Sequence, residues 1–226
     1  MDLCLHYAPD NASLCIRLAL ERLGLGYRTA LVDRAARGQK AESYLKLNPN
    51  GLIPVLETPD GVLFETGAIL LWLDEARPGV LMPEQGTPAR AEALTWLVWL
   101  ANTLHPAMRM LFYPDQYLPD DPDALRAATR ARLVRLYALA EARLPDTALD
   151  PELSALGCYL GPMLRWSALY GGTTDWFELA RWPRLDAFAR AAETAPEVRR
   201  VAEAEGLGPT PFSQPVWPNP PEGSAL

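Results

Sequence analysis

The chain has 226 residues, 49% hydrophobic and 22% charged, which suits one large or two small globular units with a sizeable core. A formal net charge of −7 argues against nucleic-acid binding, which needs clustered Lys and Arg on a phosphate backbone. No apolar run spans a bilayer, Met1-Asp2 opens no signal peptide, and three cysteines without metal-like spacing suggest a reducing, cytoplasmic setting.

Leu3, Leu5 and Tyr7 alternate as a short opening strand, with His6 assigned to the core. After the loop Ala8-Pro9-Asp10-Asn11-Ala12, Ser13 begins a helix that carries Leu14, Leu18 and Leu23 to a stop at Gly24. Residues 27–32 read as a second strand, parallel to the first because a helix intervenes. A basic loop over 34–40 and a short helix over 42–47 follow.

The stretch 48–69, N-P-N-G-L-I-P-V-L-E-T-P-D-G-V-L-F-E-T-G-A-I, reads as loop, strand, tight turn, strand and helix start. Pro54 has no N–H for a ladder, so it belongs at a strand's start or on an edge, and its bond to Ile53 is a candidate for cis. The main chain of Val55 is then expected to stay free for a peptide-like ligand. Thr58-Pro59-Asp60-Gly61 is a turn, with proline presetting φ and glycine supplying a positive one. Glu65 and Thr66 stand before the helical run Ile69, Leu70, Trp72, Leu73, whose first N–H groups lack intrahelical partners and can hold a carboxylate.

Pro78-Gly79 and the breakers over 83–88 form a linker, after which strand patterns vanish. Pro88 suits the first position of a long helix running past Trp96 and Trp99 to Phe112. Asp121-Pro122 opens another helix, closed by Pro145. Residues 152–170 are apolar on nearly every side, as a central buried helix is. Two more helices cover 183–194 and 196–205. From Gly206 the chain is proline-rich and is expected to run as an extended strap docked by Phe212 and Trp217.

The 48–69 stretch resembles the glutathione-binding half of glutathione transferases. H-P-A-M-R-M-L-F, Y-L-G-P-M-L-R-W and A-P-E-V-R-R-V-A-E-A-E-G-L are similar to the bacterial beta class, so the resemblance spans roughly residues 1–208. It implies an α/β thioredoxin-like N-terminal domain (1–77), a linker (78–88), an all-α helical domain with an electrophile pocket (89–205) and a proline-rich tail (206–226). It also implies glutathione as co-substrate, no metal, a small electrophilic substrate, and a homodimer with the helix from Pro88 at its interface. Pro54 is cis in such proteins, Val55 pairs with the cysteinyl part of glutathione, and Glu65-Thr66 hold its γ-glutamyl end. Ile53 and Asn11 complete the expected binding set.

This sequence departs from the beta class in three places. Ala12 stands where that class has a cysteine, so mixed-disulfide chemistry is unavailable, and Cys15 reads as a buried helix residue. A free thiol ionises near about pH 8.5, and lowering that by one unit takes about 1.4 kcal/mol of preference for the anion. Ser13, at a helix start, is the first candidate to supply it, although a serine there also reads as a plain N-cap. Tyr7, at the end of the first strand, is its rival, and Asn11 a third donor. His105 falls where the class places a histidine near the bound thiol. By resemblance Arg165 and Trp166 wall the second-substrate pocket, which Arg109, Tyr113 and Trp166 line. Leu52 replaces the Lys or Gln that helps hold the glycyl carboxylate, so weakened affinity is expected unless Arg34, Arg37 or Lys40 substitutes. Ser154-Ala155-Leu156-Gly157 lacks the aspartate of an S/T-x-x-D cap. The expected reaction is conjugation of the glutathione thiolate to electrophiles. Alternatives are a glutathione-dependent peroxidase, lyase or dehalogenase, or a non-catalytic binding protein of the same fold.

Overall fold

The computed structural model describes residues 2–225. Four short strands, β1 (Cys4–Tyr7), β2 (Arg28–Leu31), β3 (Val55–Thr58) and β4 (Gly61–Phe64), form one sheet in the order β2-β1-β3-β4. β1 and β2 are parallel because helix α1 (Ser13–Leu23) crosses between them, whereas β3 runs antiparallel to both β1 and β4. Side chains alternate across a strand, so Leu3, Leu5 and Tyr7 share one face. That face joins a core with Leu14 and Leu18 of α1 and with Ile69, Leu70 and Leu73 of α3 (Thr66–Ala76). Helix α2 (Glu42–Leu45) covers part of the other face, where Tyr44 packs with Val32 and Val55.

Turn chemistry follows the sequence closely. Gly24 ends α1 at φ 61, in the left-handed region open to glycine. Thr58 closes the β3–β4 hairpin by donating Oγ1–H to the Gly61 carbonyl at 2.8 Å and accepting the Asp60 N–H at 3.1 Å.

Beyond residue 76 the described residues are helical or irregular. Helix α4 (Pro88–Trp99) starts at Thr87, whose hydroxyl accepts the Arg90 N–H at 3.2 Å. The expected single helix to Phe112 is interrupted by a π turn at Leu100–Leu104, after which α5 (His105–Phe112) continues. Pro106 explains the turn: it has no N–H to give, and its ring would collide with the carbonyl four residues back. Helix α6 (Pro122–Arg143) is capped by Asp121. Helix α7 (Ala155–Leu169) starts later than expected because residue 153 takes φ 57, yet Ser154 still caps it by accepting the Gly157 N–H at 3.2 Å. It is buried along most of its length, and α8 (Pro183–Ala192) and α9 (Pro196–Ala204) pack around it and α1.

Residues 206–225 form a strap, but only one of the two aromatics docks fully. Phe212 is buried against Gly161, where an added Cβ would stand 3.1 Å from its ring. Glu193 holds that turn by accepting the N–H groups of Phe212 and Ser213, each at 2.6 Å. Trp217 instead stays 59% exposed, touching Tyr170 edge-on at 5.1 Å. Among the described residues no helix is long and apolar enough to cross a membrane.

Candidate active site

A cleft of about 1020 Å³ separates the sheet-bearing half from the helices. Its first wall comes from the loop after β1, the loop before β3 and the start of α3; its second comes from α4, α5 and α7.

The loop before β3 is the best organised part. The Ile53–Pro54 bond is cis. The Leu52 carbonyl is held by the Tyr44 hydroxyl (2.9 Å) and by Asn48 Nδ2 (2.8 Å), which fixes the approach to the strand. Here the expectation for Val55 is corrected. Val55 lies inside the ladder, in register with His6 on one side and Phe64 on the other, and is fully buried. The free main chain sits one step earlier. Ile53 lines the cleft, and among the described residues its N–H and C=O make no hydrogen bond. A β3 that is central rather than at an edge leaves no unpaired backbone beyond the proline.

Helix α3 opens onto the same wall. Glu65 sits at its N-cap with φ 74 and is exposed, and Thr66, Gly67 and Ala68 of the first turn, whose N–H groups lack intrahelical partners, line the cleft. Thr66 is nearly buried and neighbours the Tyr159 hydroxyl. A carboxylate beside an unsatisfied helix N-terminus suits a zwitterion, one pole for ammonium and one for carboxylate.

The two hydroxyls expected to handle a thiol are not at the cleft. Ser13 has 0% exposure, donates Oγ–H to the Ala8 carbonyl at 3.1 Å and accepts the Ala8 N–H at 3.3 Å. Nor is it the N-cap, a position Ala12 occupies without a side-chain bond. Residue 13 falls on the inner face of α1, so its side chain turns into the protein. Tyr7 is 2% exposed, lies under the Arg17 guanidinium and donates to Glu222. Burial, then the Glu222 carboxylate, raises its phenol well above the ordinary value. Asn11 and Ala12, by contrast, line the cleft. Asn11 donates to the carbonyls of Pro9 (3.0 Å) and Ala225 (3.1 Å) and accepts from Arg34 at 2.8 Å. The N–H groups of Ala12 and Ser13 make no hydrogen bond among the described residues.

Asp10 is the residue that sequence reasoning missed. It sits at φ 53, and its carboxylate accepts from Arg165 Nε (2.8 Å), Trp166 Nε1 (2.9 Å) and the Tyr170 hydroxyl (2.5 Å). The loop after β1 is thereby locked to α7. A signal did exist: Arg165 inside an otherwise apolar helix demands a buried anionic partner. Arg165 is therefore not on the pocket wall; it is fully buried and donates to the carbonyls of Leu207, Pro211 and Val216 as well. Behind the loop, Glu205 accepts the Asp10 N–H at 2.8 Å and pairs with Arg17 at 3.3 Å. Burial pushes Glu205 up to about 7, against the pull of Arg17.

His105, Arg109, Tyr113 and Trp166 all line the second wall. His105 Nδ1 bonds the Tyr159 hydroxyl at 2.8 Å, and the ring stands 5.9 Å from that of Trp166. Burial, with Arg109 adding to it, lowers the imidazole to about 4, so it is neutral at physiological pH. The Arg109 guanidinium lies 5.4 Å from the centre of the Tyr113 ring. Of the three basic residues weighed against Leu52, Arg34 and Lys40 reach the cleft and Arg37 does not. One group of metal-ligating types lies elsewhere: Cys4, His6 and Glu57 on the sheet, with His6 bonded to Glu57 at 2.6 Å rather than sealed in the core.

Residues 2–75 match the family model "Glutathione S-transferase, N-terminal domain". The chain is 30% identical over 209 residues to glutathione S-transferase GST-4.5 of Xanthomonas campestris pv. campestris, covering 90% of this chain and 98% of that protein. Its structure is similar to the bacterial beta class glutathione S-transferase of Sphingomonas chungbukensis, with TM-score 0.75, 28% identity, and 90% and 98% of the two chains covered. It is likewise similar to a sphingomonad glutathione S-transferase complexed with glutathione, at TM-score 0.73 and 29% identity over 92% and 100% of the chains. With a thioredoxin-like sheet domain, a helical C-terminal region and a relative matched over nearly its whole length, the chain belongs to the glutathione S-transferase family.

Proposed function

We propose that the protein binds glutathione along the first wall and conjugates its thiolate to small electrophiles held against the second. The observation that carries this reading is the unpaired main chain of Ile53, ahead of a cis proline and beside the open N-terminus of α3. The tripeptide lies as a short strand against Ile53, its zwitterionic γ-glutamyl end at Glu65 and the first turn of α3. Its glycyl end runs past Leu52 toward Lys40.

This placement directs the thiol to the loop 10–12. With Ser13 and Tyr7 turned inward, the donors there are the N–H groups of Ala12 and Ser13 and the amide of Asn11. A helix N-terminus favours an anion by about 0.3–1 kcal/mol, and by up to about 2 when partly buried. That is enough to lower a thiol by roughly one unit. The thiolate attacks an electrophilic carbon, the new S–C bond forms, and the leaving group departs with the electron pair of the bond that breaks. Tyr113 and Trp166 offer aromatic faces to the electrophile, and Arg109 a cation for an anionic leaving group. His105 is neutral and contributes a hydrogen-bonding edge, not a charge. Ether cleavage and substitutive dehalogenation use the same bound thiolate at carbon, whereas peroxide reduction uses it at oxygen, expelling the alkoxide and then consuming a second glutathione thiol to turn the sulfenic acid into disulfide and water. A cytoplasmic homodimer, with the half-exposed Val98 of α4 (52%) at its interface, belongs to the same proposal.

Retention on immobilised glutathione followed by turnover of a chlorinated dinitrobenzene tests it. Retention with chloride release is expected. Retention without turnover across a broad electrophile panel would favour a non-catalytic binding protein, and no retention would remove the glutathione reading altogether.

A further inference from the structure

The strap divides into two parts held very differently. Up to Val216 it is fastened by groups that are themselves buried: Arg165 grips three of its carbonyls, Phe212 fills the space beside Gly161, and Glu193 caps the turn. Beyond Val216 it runs over the outside with exposed or half-buried side chains, and one main-chain bond, from the Asn219 N–H to the Gly206 carbonyl at 2.8 Å, ties it to the fold behind. Trp217 touches Tyr170 only by an edge, and Glu222 accepts a bond from Tyr7. Gly223, at φ 73, lies so close to Leu31 that a Cβ would stand 2.6 Å from that side chain. At its end the Ala225 carbonyl accepts from Asn11 Nδ2 at 3.1 Å and from Arg34 Nη1 at 2.9 Å. Arg34 also reaches the Tyr113 hydroxyl at 3.2 Å, so these contacts close one end of the cleft from wall to wall. Trp217 and Ala225 themselves line the cleft.

We propose that residues 217–225 are a displaceable strap over the thiol end of the cleft. In the free protein the Ala225 carbonyl occupies the Asn11 and Arg34 donors, and a ligand carrying its own acceptors takes them over as the strap lifts. Physically this is a competition within one chain. A tethered carbonyl held by two part-buried bonds has a high local concentration but no buried apolar side chain of its own segment behind it. A ligand must therefore displace it, and its apparent affinity falls by the fraction of molecules in which the strap is lifted. The fastened part up to Val216 sets the radius within which the end returns. The ligand class is an anionic or carbonyl-rich peptide-like molecule, and choosing glutathione as the probe rests on the function proposed above.

The test compares glutathione binding by calorimetry in the full chain and in a chain ended after Pro218, which keeps the Arg165 and Phe212 anchors. The shortened chain is expected to bind about tenfold more tightly, the gain set by the closed fraction. Tyr7→Phe, which removes only the partner of Glu222, should tighten binding in the same direction by a smaller factor. In the full chain, glutathione should speed cleavage after Glu222 by a glutamyl endopeptidase, a readout that survives if the shortened chain folds poorly. Equal affinities with an unchanged cleavage rate overturn the proposal. Weaker binding on shortening, with Glu222 protected by ligand, also overturns it, because the strap would then be a wall of the site and not a competitor. Binding by neither chain overturns the glutathione reading itself, a result separate from equal binding by both, and the competition falls with it.

Discussion

A hydroxyl serves chemistry only if it faces the reactants, and Ser13 does not. Its Oγ satisfies both main-chain groups of Ala8 in a site without solvent. Ser13→Ala should therefore leave kcat/KM within about twofold while lowering stability by about 1–3 kcal/mol, because two buried polar groups lose their partner. Steady-state kinetics beside a urea titration reads both. Asn11→Ala should do the reverse, cutting kcat/KM with little change in the unfolding midpoint. Glu205 brings a pH dependence. Its folded value of about 7 lies above the 4.5 of a free carboxyl group, so its protonated form is favoured by folding. That contribution is complete below about 4.5 and is lost as pH rises through about 7. Glu205→Gln keeps an acceptor for the Asp10 N–H but cannot ionise. Stability of the parent relative to this variant should fall between those two pH values, measured as the difference in thermal midpoint. A flat difference would remove Glu205 as the titrating group. His105 acts in the opposite sense: its value of about 4 lies below the 6.5 of a free imidazole, so its contribution is lost as pH falls through that window.

At the scale of elements, the missing aspartate at the start of α7 has a packing reason. A Cβ on Gly157 would stand 3.3 Å from both Leu153 and Phe188, so the space a capping carboxylate needs is already filled. Gly157→Asp, which restores the S/T-x-x-D pattern, should destabilise by about 1–3 kcal/mol through overpacking. Ser154→Ala should cost about 1 kcal/mol by removing the remaining half of the cap. Denaturant titration of the two variants separates a capping effect from a packing one. Most element positions are legible in the chain because they rest on local chemistry: proline at helix starts, Gly24 at a helix end, Pro59-Asp60 in a hairpin. The π turn before His105 is less so. Pro106 signals a disturbance, but whether the helix stops, kinks or widens there depends on what α4 and α5 pack against.

The two halves of the molecule are joined at Asp10, where one carboxylate ties the first loop of the sheet domain to Arg165 and Trp166 of α7 and to Tyr170 at its C-cap. Asp10→Ala leaves Arg165 charged and buried without its anion, and such a break costs about 3–5 kcal/mol. The loss should show as a lower thermal midpoint, and glutathione binding should weaken with it because the loop 10–12 is no longer fixed against the helices. Alternation, helical period, proline placement and the I-P-V-L stretch by themselves determined the strand and helix order, the thioredoxin-like start, the helical second half and the cleft wall proposed for a peptide-like ligand. These are properties of neighbours along the chain, set by dihedral preference and by which side of an element is apolar. Only the tertiary structure decided that Ser13 and Tyr7 turn inward, that Ile53 and not Val55 keeps its main chain free, and that Arg165 grips Asp10 and the strap rather than lining the pocket. Tyr7 meets Glu222 and Arg165 meets Asp10, 215 and 155 residues away, while Ser13, bonded to Ala8 only five residues back, is sealed in where α1 packs; burial of this kind is chosen by packing, which no local pattern encodes.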